Sequence, residues 1–261
     1  MGFGDEIMAT GLARGAAARG KLVAFGDGQR IIWGPSCEQI FRHNPNIARP
    51  DAINGHHLQW IAHHKGNRMY NRVAPERNRW IWKMDFRPVP GEMFFSPDEK
   101  AFAETIAGGF VLLEPNVPWQ KTCAPNKDWG FQKYQTVADT LRHCGLEVRQ
   151  FSFSAQQKAL ANVPVINAPT FRHAMAALSR AVLYIGPEGG LHHAAAAVGV
   201  RAVVLFGGFI PPAVTGYAGH TNLTGGAAEA CGSLGPCQHC RDAMAAISVD
   251  EVVAAAGNYL S

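Results

Sequence analysis

The sequence has no apolar run approaching the roughly 20 residues that a membrane-spanning helix needs, and it does not begin with the basic-then-apolar layout of a secretory signal. Charged residues make up only 17% of the chain and hydrophobic residues 47%, a composition that excludes intrinsic disorder. The six cysteines are too unevenly spaced for a disulfide framework in 261 residues. We therefore expect a globular, soluble, cytoplasmic protein with reduced thiols, holding one large or two modest domains.

The formal net charge is +4, and a single segment, residues 60–95, accounts for the excess because it holds seven Lys or Arg against three acids. Seven aromatic residues are interleaved with these cations. Such a mixture binds a sugar, an anionic acceptor or single-stranded nucleic acid, although a solvated basic loop over core aromatics has the same composition. We take Arg68, Arg72 and Trp80 as candidate acceptor contacts, with nucleic acid as the less favoured ligand.

Beyond residue 108, short apolar segments alternate regularly with amphipathic ones. Strands are predicted at 110–114, 147–153, 163–166, 181–185 and 202–206, and helices at 131–144, 170–178 and 191–198. This alternation predicts a parallel sheet covered by helices on both faces. Ligands of such sheets bind at the carboxyl ends of the strands, where Glu114, Asn116 and the segment 186–193 lie. A last helix at 249–259 is placed so that it can pack back on the first domain.

The first hundred residues are less regular. Helices are predicted at 8–19 and 37–42 and strands at 21–25 and 31–33, whereas residues 44–95 lack clear periodicity. Ser96 and Pro97 then begin a helix that is predicted to end near Gly108. The sequence therefore predicts an N-terminal α/β domain at 1–107 and a C-terminal domain at 108–261.

The segment 184–199 reads as strand, glycine turn and small-residue helix. Gly189 and Gly190 allow close approach of a ligand to the backbone, and the helix that follows presents unpaired N–H groups and a positive dipole end. A diphosphate fits such a site. An ordinary β-α-β turn explains the same glycines, so other motifs must decide between the two interpretations.

Three motifs together resemble glycosyltransferase family nine, the heptosyltransferase-like enzymes: Gly4-Asp5, Lys127 shortly before Trp129, and the glycine turn leading into the strand at 201–207. The resemblance implies the GT-B fold, in which two Rossmann-like α/β domains face a cleft. The acceptor would bind the N-terminal domain and the nucleotide-sugar the C-terminal one, without a metal or other cofactor. Only three residues precede Gly4, so no first strand leads into this motif in this sequence. Either the N-terminal domain is reduced, or the true start lies upstream of this Met, or the sheet is completed otherwise, and we expect a reduced domain.

The resemblance also implies roles for individual residues. Asp5 corresponds to the family's proposed general base, while capping of the first helix is the less favoured alternative and is compatible with that role. Lys127 corresponds to the lysine that contacts the donor phosphates. The family signature Asp-Thr/Ser-Gly-x-x-His stands here with Glu188 and Gly189 in its first two places. The expected site consists of Asp5 and Lys127 as catalytic residues, Glu188, Gly189, Gly190, His193, Asn126, Glu114 and Asn116 at the donor, and Gly4, Arg68, Arg72 and Trp80 at the acceptor.

The cysteines Cys231, Cys237 and Cys240 have the spacing of a partial zinc site, with His239 or His220 as fourth ligand. Only one Cys-x2-Cys pair is present, which favours reduced thiols in a loop. Four histidines in the basic region offer a second candidate set, but paired histidines on a loop are usually polar surface. We assign no metal to either set; the histidines are His56, His57, His63 and His64.

These features predict an inverting, metal-independent glycosyltransferase that moves a sugar from a nucleoside-diphosphate sugar to an acceptor hydroxyl. The expected acceptor is a glycan, a lipopolysaccharide-type molecule or another lipid-linked hydroxyl, and the expected location is the cytoplasm or the inner face of the membrane. The alternatives are a degenerate nucleotide-binding module without catalysis, a nucleotide-sugar epimerase, and a zinc-dependent nucleic-acid binder.

Overall fold

The structure is a computed structural model, which describes residues 2–51, 58–118, 120–154 and 157–260. His56 and His57 lie outside the described residues. The N-terminal half contains α1 (Phe3–Ala17), β1 (Leu22–Gly26), α2 (Pro35–Ile40), β2 (Leu58–Ala62), β3 (Asn71–Val73), β4 (Trp80–Trp82) and α3 (Pro97–Glu104). The C-terminal half contains β5 (Phe110–Leu113), a 3-10 helix (Ala124–Lys127), α4 (Phe131–His143), β6 (Val148–Ser152), β7 (Val165–Asn167), α5 (Phe171–Leu178), β8 (Ala181–Pro187), α6 (Gly190–Ala197), β9 (Arg201–Leu205), α7 (Pro212–Thr215), β10 (Thr221–Leu223), α8 (Gln238–Ala246) and α9 (Val249–Leu260).

The C-terminal half is built on a six-stranded sheet in the order β10-β9-β8-β5-β6-β7, with parallel pairing throughout. Alternate residues of its strands enter two different hydrophobic clusters. Val111 and Leu183 pack under α4 and α9, whereas Leu112 and Tyr184 pack under α5 and α6. The parallel sheet covered on both faces is therefore confirmed, and its central strands are buried because neither face meets water.

The N-terminal half contains much less sheet. β1 and β2 form a two-stranded parallel ladder, with a parallel bridge from Val23 to Ile47 on the other edge, and β3 and β4 form a separate hairpin. α1 buries Ile7 and Ala9 in the same hydrophobic cluster as Leu191 and Ala194 of α6, so both halves share one core. The GT-B-like α/β fold with a reduced N-terminal domain is thus the observed architecture, while the boundary at 107/108 remains a prediction.

Several element predictions need correction. α1 begins at Phe3 rather than residue 8, because the Gly4-Asp5 pair lies in its first turn, where the Asp5 carboxylate accepts the N–H of Gly2 at 2.7 Å. Only Ile31 of the expected strand at 31–33 pairs, through a bridge to Gly26. α9 packs against α4 and the large sheet rather than on the N-terminal half. α3 ends at Glu104, before Gly108, and α8 was not predicted.

The helix that begins at Ser96 is confirmed in detail. The Ser96 hydroxyl accepts the N–H of Glu99, and the Glu99 carboxylate accepts the N–H of Ser96 in return. Glu99 also pairs with the buried Arg172 of α5, which donates to it from Nη2 at 2.8 Å and to the carbonyl of Phe94. This ion pair joins the two halves. Within the described residues, no helix is both long and apolar enough to cross a membrane.

Candidate active site

The N-termini of α1 and α6 are in direct contact, and this is possible because each has glycine in its first positions. A Cβ on Gly4 would lie 2.7 Å from Cδ2 of His193 and 3.5 Å from the backbone of Gly189 and of Gly190. Beside this contact the rings of Phe3 and Phe171 stack with centroids 4.3 Å apart. Gly4 therefore serves to bring the two helix ends together, and with them the two motifs that the sequence predicted to form one site.

Asp5 lies in the first turn of α1 and is buried. Its Oδ2 accepts the N–H of Gly2, and its Oδ1 accepts the hydroxyl of Tyr70 at 2.5 Å. Burial alone would raise the pKa of Asp5, but the Arg68 guanidinium, with Nη1 3.6 Å from Oδ1, together with these two donors outweighs it and lowers the pKa below its ordinary value. Asp5 is thus an ionised carboxylate held by three partners.

The predicted acceptor residues divide into two groups. Arg68 stacks over Trp80, 4.4 Å from the ring centroid, and donates to the hydroxyl of Tyr70 at 3.3 Å, so both lie beside Asp5. Arg72 is exposed on β3, and its side chain makes no hydrogen bond or ion pair within the described part of the chain. The structure therefore brings Arg68 and Trp80 to the site and leaves Arg72 on the surface.

Lys127 and Glu188 form a buried ion pair at the other side of the same site. The Nζ of Lys127 contacts Oε2 of Glu188, donates to the Glu188 carbonyl at 3.1 Å and lies 5.1 Å from the ring centroid of Phe209. Burial acts to raise the pKa of Glu188, but Lys127 first and His193 second outweigh it and hold that pKa well below the ordinary range. The lysine predicted to meet the donor phosphates is therefore neutralised by a carboxylate in this conformation.

His193 connects Glu188 to a buried aromatic group. Its Nε2 lies 3.3 Å from Oε1 of Glu188, and its Nδ1 lies 2.9 Å from the hydroxyl of Tyr217. His192 is buried beside this pair, with a ring nitrogen within 4.8 Å of a carboxylate oxygen of Glu188 and of a ring nitrogen of His193. Both of its ring nitrogens lack a hydrogen-bond partner among the described residues, and burial lowers its pKa well below the usual value. Burial also lowers the pKa of His220, which packs against His192, to about 4. His193 alone of these histidines faces Glu188 with a hydrogen bond.

Tyr70 lies between the two carboxylates. Burial raises its pKa well above the usual value, and the charges of both Asp5 and Glu188 raise it further. On the donor side, Phe209 contacts Trp82 edge to face with centroids 5.9 Å apart. Thus a chain of side-chain contacts runs from Trp82 of the hairpin through Phe209 to Lys127 and Glu188 at the glycine turn.

The remaining donor-side predictions occupy supporting positions. Asn126 is fully buried, and its amide is engaged by the carbonyls of Ser233 and Gly235 and by the N–H of Cys237. Glu114 is also buried, accepts the N–H of Asn116 at 2.8 Å, and has a pKa raised by burial to about 7. The Asn116 side chain bonds both backbone groups of Lys158, so it joins the loop after β5 to the segment after β6.

The predicted cysteine set does come together. The sulfur atoms of Cys231, Cys237 and Cys240 lie within 4.8 Å of one another. His239 instead bonds the carbonyl of Glu229 at 2.9 Å, and His220 belongs to the buried group around His192, so neither histidine expected as fourth ligand joins the thiols. His63 is buried against Glu6 with Nε2 to Oε2 at 3.0 Å, while the side chain of His64 lies 3.2 Å from the carbonyl of Lys65.

Sequence reasoning missed three aromatic members of the site: Tyr70, Phe209 and Tyr217. Tyr70 lies within the basic aromatic segment, which is a signal, but nothing in its spacing pairs it with Asp5, 65 positions earlier. Phe209 and Tyr217 follow the strand β9 in a segment without periodicity. The carboxyl end of β9 is the general position at which such residues are expected.

Comparison with known proteins gives a family and a fold. The model of glycosyltransferase family 9 (heptosyltransferase) matches residues 84–243, more than half of the chain. The glycosyl transferase family 9 structure from Veillonella parvula has a TM-score of 0.65 at 14% identity, covering 100% of this chain and 95% of that chain. The iron-containing dodecameric glycosyltransferase TibC from enterotoxigenic E. coli has a TM-score of 0.66 at 13% identity, covering 99% and 74%. No curated protein sequence matches the chain.

Proposed function

The chain belongs to glycosyltransferase family 9, and from that premise we propose that it transfers a sugar from a nucleoside-diphosphate sugar to an acceptor hydroxyl, with inversion and without a metal ion. The observation that carries this proposal is the contact of Gly4 with His193 and the glycine turn. This contact supports the proposal because it brings the first turn of α1, which carries the Asp5 carboxylate, next to the first turn of α6, the proposed anion-binding helix end. A sugar transfer needs those two groups on opposite sides of the anomeric carbon.

On the donor side, the first N–H groups of α6 are the proposed hydrogen-bond donors to a diphosphate, and the Lys127 ammonium is its proposed cationic partner. Negative charge builds on the leaving diphosphate in the transition state, and fixed donors of this kind stabilise it. In the observed conformation the Lys127 ammonium is paired with the Glu188 carboxylate. Donor binding therefore requires Lys127 to exchange the Glu188 carboxylate for a phosphate oxygen, while His193 retains Glu188.

On the acceptor side, Asp5 is the proposed base. It accepts the proton of the acceptor hydroxyl as that oxygen attacks the anomeric carbon from the face opposite the nucleotide, which inverts the configuration. The Tyr70 hydroxyl bonds Oδ1 of Asp5 and marks the position that the acceptor hydroxyl would take. The lowered pKa of Asp5 keeps it ionised at neutral pH, ready to accept a proton.

Arg68 and Trp80 form the surface next to Asp5 on which the acceptor would lie. A guanidinium stacked on an indole offers one cationic and one apolar face, a combination suited to a sugar ring that carries an anionic group. We therefore propose a glycan or lipid-linked acceptor of lipopolysaccharide type, handled in the cytoplasm or at the inner face of the membrane. A separate acceptor surface disfavours an epimerase, which carries out both steps on one bound sugar.

Nucleoside diphosphates test the donor half of the proposal. Thermal unfolding is measured with ADP, UDP, GDP, CDP and dTDP, with and without Mg²⁺, for the wild type and for Lys127→Ala and Lys100→Ala. Lys100 is exposed on α3 and serves as the matched control. One diphosphate at 100 times its dissociation constant should stabilise the wild type by about 2.7 kcal/mol without Mg²⁺. Lys127→Ala should lose that shift and Lys100→Ala keep it; equal shifts in both variants, or none with any nucleotide, would reject the donor site.

A binding module without catalysis is the second candidate. The occupied Lys127 and the fully engaged carboxylate of Asp5 favour it, because neither group is free in this conformation. Nucleotide binding without any sugar release, unchanged in Asp5→Asn, would support the module over the transferase.

A further inference from the structure

The sulfur atoms of three cysteines lie close together beside the proposed site. Cys240 is fully buried, Cys231 and Cys237 are half-buried, and all three sulfurs lie within 4.8 Å of one another. The shortest separation, Cys231 Sγ to Cys240 Sγ, is 3.1 Å. Thiolates bound tetrahedrally to one zinc ion at 2.3 Å stand about 3.8 Å apart, so small adjustments bring these sulfurs to a common metal.

Two of the three sulfurs lie beside backbone N–H groups or a helix N-terminus. The N–H of Ser233 donates to the sulfur of Cys231 at 3.4 Å. Cys237 stands immediately before α8, a helix of nine residues, so its sulfur lies at the positive end of the helix dipole. Two of the three sulfurs therefore have backbone partners that stabilise the negative form, which is the form that binds metal.

We propose that Cys231, Cys237 and Cys240 together bind one thiophilic metal ion of the Zn²⁺ class, with water or another external ligand in the fourth position. His239 is held away by the Glu229 carbonyl, which leaves three protein ligands. Binding replaces three thiol protons by the ion, and the protons go to solvent. The ion would fix the segment 231–240, called here the cysteine loop.

The cysteine loop holds parts of both sides of the cleft. Its Gly232 carbonyl accepts the N–H of Trp80 at 2.8 Å, and a Cβ at Gly232 would come within 2.5 Å of the Trp80 carbonyl. Its Cys237 N–H donates to Asn126, the residue before Lys127. Its Gly232 N–H donates to the carbonyl of Phe209. The proposed ion therefore positions Trp80, Phe209 and Lys127 relative to one another.

A disulfide between Cys231 and Cys240 is the competing use of the same atoms. It would draw the two sulfurs to about 2.05 Å and exclude Cys237. Metal binding uses all three sulfurs and needs no oxidant. The participation of Cys237 thus separates the two, and Cys237→Ser is the informative variant because its side chain is half-buried and its loss leaves no cavity in the core.

The test is metal binding by the purified full chain under reducing conditions, with Co²⁺ as the spectroscopic probe and Zn²⁺ as its competitor. Cys237→Ser is compared with Cys144→Ser, an exposed cysteine at the end of α4. We expect one Co²⁺ per chain with thiolate-to-cobalt charge-transfer absorption, displaced by equimolar Zn²⁺, unchanged in Cys144→Ser and lost in Cys237→Ser while thermal unfolding shows that the variant is folded. Absence of the absorption in the wild type, or its retention in Cys237→Ser, would overturn the proposal.

The effect on the cleft is measured separately. Amide hydrogen exchange at residues 78–82 and 124–127 should slow on Zn²⁺ binding in the wild type and in Cys144→Ser, and stay unchanged in Cys237→Ser. If the exchange rates of these amides in the wild type are the same with and without bound Zn²⁺, the positioning role is rejected. Neither readout involves a nucleotide, so failure of the donor site and failure of the metal site are distinguishable.

Discussion

Removing Lys127 should cost far more stability than its place in a polar loop suggests. The side chain of Glu188 is 5% exposed and that of Lys127 20%, so Lys127→Met leaves a buried carboxylate without its main cation. Breaking such a pair from one side costs about 3 to 5 kcal/mol, and partial exposure places this case near about 3 kcal/mol. Glu188→Gln leaves Lys127, the more exposed of the two, without its carboxylate. The Lys127 ammonium still has the backbone carbonyl of residue 188 at 3.1 Å, so this variant should cost about 1 to 2 kcal/mol.

The double variant Lys127→Met/Glu188→Gln should cost less than the sum of the two single variants by about 2 kcal/mol. The matched control is the surface pair Arg149 and Glu147, at 3.1 Å with Glu147 52% exposed, whose cycle should give less than about 1 kcal/mol. Urea unfolding measures all of these free energies. Additive effects of Lys127→Met and Glu188→Gln, or a coupling no larger than that of the surface pair, would refute the buried ion pair.

The pH dependence provides a second check on the same pair. The folded-state pKa of Glu188 lies below its ordinary value of 4.5, so its contribution to stability is present above pH 4.5 and is lost as the pH falls through the folded pKa. In Lys127→Met the cation that lowers this pKa is gone, and the variant should lose less stability on acidification. The difference between wild type and variant should therefore narrow below pH 4.5; a constant difference contradicts the assignment.

Three further predictions concern other buried groups. Gly4→Ala should lower the melting temperature and weaken nucleotide binding, since its Cβ would lie 2.7 Å from Cδ2 of His193; a variant with wild-type melting and binding would show that close contact to be unimportant. Glu114 has a raised pKa of about 7, so its burial costs stability as the pH rises from 4.5 to 7, and Glu114→Gln should remove a loss on the order of 3 kcal/mol across that interval in unfolding titrations; an unchanged pH profile would argue against it. Arg172→Met should destabilise by about 3 kcal/mol because it leaves the Glu99 carboxylate buried, and an effect below about 1 kcal/mol in urea unfolding would contradict that.

Five of the six strands of the large sheet could be predicted because each carries its own local signal, whereas β10 (Thr221–Leu223) was not predicted. β5 and β9 are short runs of apolar residues bounded by turn residues, and α4 has one apolar face, so type and order follow from local pattern. The order of the strands in the sheet depends on long-range pairing and was not predicted.

The first turn of α1 and the whole of α8 escaped prediction, and in both packing decides the structure. α1 contains Gly4, Gly11 and Gly15, which weaken a helix in isolation, but Gly11 is required where a Cβ would come within 2.5 Å of the Val89 carbonyl. α8 begins inside the cysteine-rich segment, whose spacing suggests a loop. In both, tertiary contacts outweigh local propensity.

The candidate site was predictable as motifs but not as geometry. The glycine turn and Lys127 could be found because few residue types serve their purpose, whereas the pairing of Lys127 with Glu188 spans 61 positions and has no local signal. Likewise, the sequence around Asn126 is typical of a polar loop, yet its side-chain amide is hydrogen-bonded to the backbone of the cysteine loop. Only the fold shows which polar groups face the cleft and which support it.

Sugar release from the nucleotide sugar that binds most tightly decides whether the protein is a transferase with Asp5 as its base. Nucleoside diphosphate release is followed with Mg²⁺ left out, with water or added glycan as acceptor, for the wild type and Asp5→Asn. We expect release with inverted anomeric configuration, slowed about 10²-fold to 10⁴-fold in Asp5→Asn while donor binding stays the same. Donor binding without release, or release at the same rate in Asp5→Asn, would contradict it.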